Sequence, residues 1–336
     1  MSDSPRPRVS VVMPVYNAGP HLDEAVESIL GQTLADFEFV ILDDGSSDGT
    51  GQALQRWAER DTRIRLLRSD APSGLPASSD RVVSAARAPI CARMDGDDIA
   101  LPDRLERQLE VLDRNPDAVM VSSLWEGIDT AGRKVRSRDR WRLIKRRPFA
   151  PFTHGSIMFR REAYEAIGGY REEANFWEDF EFYLRMSTQG RILVIPDVLF
   201  RYRFHTVNSR LTTDPRILTA AMNRMQRCAD RYRNREDYGS ELTGDLDPAE
   251  SASSYAIFMI GSTRLWAGER PRILRPSLAL LLRSFDRGAI KCLILAIAGG
   301  VAPGLLRSML NLLVWTRDWI ASREIQSGEP FEWRFE

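Results

Sequence analysis

Three groups of carboxylates follow short apolar runs in this chain. Asp95, Asp97 and Asp98 share one turn, directly after Ile90 to Met94. Hard oxygen donors so arranged suit Mg2+ or Mn2+, ions that complete their shells with substrate phosphates. The same residues also make an ordinary acidic turn, because Asp and Gly favour turns. Asp43 and Asp44 open a second loop, running to Gly49, after Phe37 to Leu42. A carboxylate there can accept hydrogen bonds from a nucleobase N–H or from ribose hydroxyls. The plainer reading is a turn and helix cap, which suffices for Asp48. Glu178, Asp179 and Glu181 begin a helical stretch after Trp177. One of them could take the proton of a hydroxyl nucleophile, although a helix dipole favours acids at that position in any case. Trp177 offers either a stacking face for a sugar or a core aromatic. His205 ends a strand-like run, where imidazole can serve a ligand or a local hydrogen bond.

Other chemistries lose ground. No G-x-x-x-x-G-K-[ST] occurs, and Gly49-Thr50-Gly51 lacks the third glycine of a dinucleotide fingerprint because position 54 is Leu54. No Ser/His/Asp or Cys/His arrangement is evident. Lys and Arg number 47, as do Asp and Glu, so bulk charge gives no argument for nucleic acid. Cys91, Cys228 and Cys292 are far apart, with neither zinc nor disulfide spacing, which fits a reducing cytoplasm. The start of the chain reads as polar rather than as a signal peptide. The apolar run Cys292 to Leu306 is short for a spanning helix and is broken by Gly299, Gly300 and Pro303.

The elements that must hold these residues alternate. Val9 to Met13, Phe37 to Leu42, Ile64 to Leu67, Ile90 to Met94 and Ala118 to Leu124 read as strands. His21 to Leu30, Gln52 to Arg60, Pro76 to Arg87 and Pro102 to Arg114 read as helices between them. Such alternation implies a mostly parallel sheet covered on both faces. Right-handed crossovers then bring the loops Val15–Gly19, Asp43–Gly49 and Asp95–Asp98 to one edge. Further along, Ser156 to Phe159, Arg191 to Ile195 and Leu199 to Arg203 read as strands, with helices at Glu162 to Ile167 and Trp177 to Gln189. Arg133 to Arg147 holds nine Lys or Arg against one Asp, and reads as a loop over the site or as a solvated charge run.

Taken together, these segments resemble a family-2 glycosyltransferase with the GT-A fold. Val9 to Asn17 is similar to the opening strand and Tyr-Asn turn, and Ser28 to Thr33 to the end of the first helix. Phe39 to Thr50 resembles the nucleotide-binding segment, Arg93 to Gln108 the metal segment and following helix. Trp177 to Arg185 resembles the catalytic-base helix, and Tyr202 to His205 a later Tyr-Arg-x-His motif. The resemblance implies an α/β Rossmann-like sheet with a C-terminal helical extension, and inverting transfer from a nucleotide-sugar donor, most often UDP-linked. It implies a nucleotide pocket lined by Pro14, Tyr16 and Asn17, with Asp44 on the base and Asp43 near it. Asp95 would face the ribose or sugar, and Asp80, Trp177 and Glu178 are further expected substrate-binding residues. Asp97 and Asp98, with His205, would hold Mn2+ or Mg2+ on the diphosphate, and Asp179 would be the general base. His154-Gly155-Ser156 falls where the acceptor side begins. One position departs: Asp80 stands where many relatives carry Asn, which bears on the donor sugar.

The resemblance covers residues 8 to 206 and yields a catalytic domain over 1–206 and a helical region over 207–336. The expected acceptor is a glycan, a lipid-linked or a small molecule in cell-surface polysaccharide or glycoconjugate synthesis. A non-catalytic nucleotide-sugar-binding assembly subunit and a nucleotidyltransferase are the competing readings. Location is expected to be cytoplasmic. The helices from residue 288 onward would lie on the inner membrane face, pack on the catalytic domain or form a homo-oligomer contact.

Overall fold

A computed structural model of the chain describes residues 6–134, 152–204, 214–242, 246–247 and 330–333. The chain divides into two compact units, Met1–Arg203 with Ser327–Glu336, and Phe204–Gln326.

The first unit is built on one sheet. Its strands are β1 (Val9–Val15), β2 (Phe37–Asp43), β3 (Ile64–Arg68), β4 (Ile90–Arg93), β5 (Ile99–Ala100), β6 (Ala118–Ile128), β7 (Met158–Arg160), β8 (Arg191–Arg203) and β9 (Phe331–Trp333). They lie in the order β3-β2-β1-β4-β7-β6-β8-β5, with β9 also on β8. β1, β2, β3 and β4 pair in parallel, as do β6 and β8. β7 runs antiparallel to both its neighbours. The fully buried runs Val9–Val15 and Phe37–Asp43 are what a sheet covered on both faces demands. One core holds Val11, Met13, Phe39 and Ile41 under α1 (Leu22–Leu30), α2 (Thr50–Arg60) and α4 (Arg104–Arg114). The other face holds Val12, Val40 and Cys91 under α3 (Leu75–Ser84), α5 (Arg161–Ala166) and α6 (Glu178–Met186).

Besides the two-residue β5, absent from the sequence reading, two elements differ from it. Arg191–Arg203 is one strand, not two: Pro196 and Asp197 are absorbed where register shifts flank Ser123, Leu124 and Trp125 of β6. A proline inside a strand is tolerated at such an irregularity. Phe331–Trp333, assigned from sequence to the helical region, instead pairs antiparallel with β8 and belongs to the first unit. Trp333 packs edge-on against Phe152 and Tyr183, at 5.8 Å and 6.4 Å between ring centres. Three residues are too few to carry a strand pattern on their own.

In the second unit, the helix Pro215–Arg233 is followed by the short helix Gly239–Leu242. Glu241 joins them by accepting from Arg227 at 2.9 Å and Arg231 at 3.3 Å.

Candidate active site

The parallel strands β2 and β4 lie on opposite sides of β1, so the chain reverses its winding direction there. Ligand crevices in open α/β sheets form at that reversal, beyond the carboxyl ends of the strands. Proline sharpens the gap. Val12 presents its carbonyl to β4, accepting from the Met94 N–H at 3.0 Å. Pro14, two residues on, faces the same side and has no N–H to give. Pairing of β1 with β4 accordingly ends at Val12 and Arg93, while pairing with β2 continues to Val15 and Asp43. Pro14 itself is buried within β1.

The loops at this edge are stitched to one another. Asn17 adopts φ +49°, a left-handed conformation that Asn tolerates. Its N–H donates to Ser46 Oγ at 3.0 Å, and its Oδ1 accepts from the Ser47 N–H at 2.9 Å. Asp48 accepts from Gly19 and Thr50 N–H groups, both at 3.0 Å, and its carboxyl is lowered: burial opposes this, and the Thr50 and Gly19 hydrogen bonds outweigh it. Asp48 is thus a turn residue just before α2, whose cap position is Gly49 rather than Asp48. Tyr16 projects from this frame, 54% exposed.

Asp43 and Asp44 are both buried. Asp43 Oδ1 accepts from the Ser46 N–H at 3.0 Å and Oδ2 lies 3.6 Å from Arg68. Asp44 accepts from the hydroxyls of Ser69 (3.0 Å) and Ser73 (2.8 Å) and from the Ser73 N–H (2.9 Å). Those three donors leave about one of a carboxylate's four acceptor positions for a ligand. Much of what Asp44 does is to hold the loop after β3 against this edge of the sheet.

The acidic turn after β4 rests on buried cations. Arg93, 1% exposed, pairs with Asp95 Oδ1 at 2.8 Å and also donates to the Met94 carbonyl. Arg104, wholly buried, donates to the carbonyls of Arg93 (2.7 Å) and Ile157 (3.2 Å) and to Gln108 Oε1 (3.0 Å). Burial pulls its pKa down to about 9 against the pull of Asp95 and Asp98. Arg203 closes the turn from the far side. Its backbone N–H donates to Asp98 Oδ1 at 2.8 Å and its Nε to the Asp97 carbonyl at 2.8 Å. Its remaining nitrogens reach the Asp129 carbonyl (3.1 Å) and the Glu24 carboxylate. Sequence reasoning noticed Arg203 only as part of a motif. Its four-way role has no signal in the local sequence, because the acceptors come from distant positions.

This clamp leaves negative charge in short supply of partners. Asp98 is raised well above the ordinary 3.8, first by burial, then by the charges of Asp97 and Asp95, with Arg203 opposing. Asp95 is raised too, by burial, against the Arg93 charge and helped by Asp97 and Asp179. Asp98 Oδ2 is buried with no hydrogen-bond partner among the described residues. An orphaned carboxylate oxygen beside a second carboxylate suits a divalent ion. Mg2+ commonly takes one or two carboxylates and fills the rest of its shell with water and phosphate. Among the described residues, no group of three or more His, Cys, Asp or Glu is arranged around a metal position. The expected third ligand, His205, lies outside the described residues.

The helix bearing Asp179 arrives after a strained turn. Phe176 has φ +78°, unusual for a bulky residue, and Trp177 precedes the helix proper. Asp179 is half-buried, accepts from the Phe180 N–H at 2.7 Å, and is close enough for its charge to act on Asp95, Tyr170 and Tyr183. Its neighbours differ. Glu181 is fully buried in a two-bond pair with Arg185, at 2.6 Å and 2.5 Å, and is structural. Glu178 is buried, and Trp177, 2% exposed, has its indole N–H without a partner among the described residues. The turn His154–Ser156 also comes up against Asp95. A Cβ added at Gly155 would come 2.7 Å from Asp95 Oδ2 and 2.6 Å from Phe200, so glycine is required for the approach. Asp80 is turned toward the segment that follows α5: its Oδ1 accepts from the Tyr164 hydroxyl and, at 2.9 Å, from the Tyr170 N–H.

Comparison with known proteins fits this geometry. A family model described as glycosyl transferase family 2 matches residues 10–168. EpsE of Bacillus subtilis is 33% identical over 208 residues, spanning 59% of this chain and 73% of that protein. An uncharacterized glycosyltransferase of Methanocaldococcus jannaschii is 30% identical over 207 residues, 59% of this chain and 71% of the relative. Chondroitin synthase of Escherichia coli is 28% identical over 207 residues, which is 61% of this chain but 30% of that protein. Among solved structures, similar folds are a mannosyltransferase from Pyrobaculum calidifontis in complex with GDP-Man and Mn2+ (TM-score 0.55, 19% identity, 97% of this chain and 89% of that one) and S. aureus TarS 1–349 in complex with UDP-GlcNAc (TM-score 0.55, 18% identity, 86% and 79%).

Proposed function

The chain belongs to glycosyl transferase family 2, a glycosyltransferase of GT-A fold, and from that premise we propose an inverting, divalent-metal-dependent transfer of a sugar from a nucleoside-diphosphate donor, UDP-linked, to the hydroxyl of a glycan, lipid-linked or small acceptor. The supporting observation is a juxtaposition. An acidic turn with one orphaned oxygen stands at the sheet's winding reversal, and a helix-start carboxylate, Asp179, lies within electrostatic reach of it.

Each group then has a task. Tyr16, Asn17, Asp43 and Asp44 frame the nucleotide, over a cleft opened by Pro14. Asp95, steadied by Arg93, faces the hydroxyls of ribose or sugar. Asp97 and Asp98, with His205, would hold the ion, which would supply Lewis-acid neutralisation of the leaving diphosphate. Asp179 takes the acceptor's proton as its oxygen bonds to the anomeric carbon and the bond to the diphosphate oxygen breaks. A single displacement from the opposite face inverts that carbon and needs no protein nucleophile. Synthesis of surface polysaccharide or glycoconjugate, on the cytoplasmic side, is the corresponding role. Residues 288–336, for which membrane contact, packing on the catalytic domain and a homo-oligomer contact are the competing expectations, lie outside the described residues except for 330–333.

A panel of nucleotide sugars tested with Mn2+ by thermal shift identifies the donor, because a ligand that binds the native state raises its melting point. Release of the nucleoside diphosphate, rather than pyrophosphate, in the presence of an acceptor separates sugar transfer from nucleotidyl transfer. A panel in which no nucleotide sugar shifts the protein ends the proposal.

A further inference from the structure

Asp80 sits on α3, on the donor side of the sheet's edge, yet its hydrogen bonds run elsewhere. The Tyr164 hydroxyl and the Tyr170 N–H both fall on Oδ1, the latter at 2.9 Å. The chain between them closes tightly over this oxygen. Gly169 has φ +77°, and a Cβ there would lie 2.7 Å from Asp80 Oδ1 and 3.0 Å from the Tyr164 hydroxyl. The Tyr164 phenol is raised by burial and by Asp80 itself, so it stays protonated and donates. Arg185 braces the same segment, donating to the carbonyls of Ile167 (2.9 Å) and Gly169 (2.6 Å).

Tyr170 passes the constraint on. Its ring stacks on Phe182 at 4.6 Å, and its hydroxyl meets His154 Nε2 at 2.7 Å. His154 opens the turn His154–Ser156, whose other end is pinned by Gln108 on the Ser156 carbonyl and by Ser122 on the Ser156 hydroxyl, both at 2.7 Å. Gly155, between them, is the residue whose Cβ would strike Asp95.

Resting on the reading of the site given above, we propose that Asp80 is a positioning residue of the acceptor side. It fixes residues 164–170, and Tyr170 in turn fixes the His154–Ser156 turn that backs Asp95. Asp80 then acts through two hydrogen-bonded steps on the turn behind Asp95 and does not touch the donor.

Hydrogen–deuterium exchange on the full chain tests the order of these steps. Asp80→Ala should speed exchange about tenfold or more in both residues 164–170 and His154–Ser156, and Tyr170→Phe should do so only in the turn. Asp80→Asn keeps an oxygen that accepts both bonds and should exchange as the parent does. Titration of UDP and of GDP, each with Mn2+, should give the same affinity for Asp80→Ala as for the parent within about twofold. The proposal is overturned if Tyr170→Phe leaves the turn protected. It is equally overturned if Asp80→Ala weakens nucleotide binding while exchange stays unchanged, which would make Asp80 a donor ligand. If Asp80→Ala does not fold, Tyr164→Phe, which removes one of the two donors, replaces it and should loosen residues 164–170. A parent protein that binds neither nucleotide refutes the functional reading, while the exchange data still decide the relay.

Discussion

In the proposed reaction Asp179 is the base, and its surroundings sort it from the two acids beside it. Glu181 is neutralised by Arg185 and buried, and Glu178 is buried, whereas Asp179 is half-buried and electrically coupled to Asp95. A base removed in this way costs about 10²–10⁴ in rate. Asp179→Asn should therefore lower transfer by that factor while nucleotide affinity, measured by calorimetry with Mn2+, stays near that of the parent; unchanged transfer would remove Asp179 from the mechanism. Arg203 makes a different kind of prediction. Its planar fork reaches acceptors on the acidic turn, on the chain after β6 and on α1 together. A lysine is a single point charge and cannot span them. Arg203→Lys should weaken Mn2+ binding, read directly by the loss of the free-ion paramagnetic resonance signal, by about tenfold, corresponding to roughly one charge-assisted hydrogen bond.

Among the elements, α4 matters more than its distance from the nucleotide loops suggests. Through Arg104 it holds the carbonyls of Arg93 and Ile157, and through Gln108 that of Ser156. One helix thus fixes both the strand before the acidic turn and the turn His154–Ser156. Arg104→Ala leaves a cavity and an unsatisfied Arg93 carbonyl, and should lower stability by about 3 kcal/mol in urea unfolding. The sequence makes most of this scaffold legible. The long buried runs of β1 and β2 and the apolar stripe of α4 carry their own periodicity, and the predicted helix from Pro102 begins at Arg104 in the structure. What the sequence hides is pairing that depends on partners. β5 has two residues and exists only because β8 passes it, β9 has three, and β7 turns antiparallel inside an otherwise parallel run. The site divides in the same way. The acidic turn and the loop after β2 are visible because their chemistry is local, and their convergence follows from winding. Arg203, Arg104 and the true partners of Asp80 are invisible, because each acts on residues far along the chain.

Across the whole molecule, charge is handled oppositely at the two ends of the sheet. At the amino end of β2, Glu38 accepts from the Ser10 hydroxyl (2.6 Å), Arg65 (2.7 Å) and the Arg87 N–H (2.6 Å). Burial works to raise it, but those partners prevail and hold it below the ordinary 4.5. Asp95 and Asp98, at the carboxyl end, are raised above the ordinary 3.8 by burial and by neighbouring carboxylate charge, that of Asp97 above all. The signs follow from proton counts. A lowered Glu38 contributes stability above the unfolded value, lost as pH falls through its folded value. The raised aspartates bind more protons in the native state than in the unfolded one. Their contribution is complete below 3.8 and is lost as pH rises through their higher folded values. Without a divalent ion, the carboxyl end therefore loses stability as pH rises through those folded values and it ionises. An ion bound by Asp97 and Asp98 offsets that loss, and binds only where they are ionised. The gain in melting temperature from millimolar Mn2+ should be small near pH 5 and larger by about 3–6 °C near pH 8. Asp98→Asn, which removes both the repulsion and a ligand, should raise the metal-free melting temperature at the higher pH and abolish most of the Mn2+ gain. A metal effect equal at both pH values, or one that survives Asp98→Asn, would mean that the ion is held elsewhere.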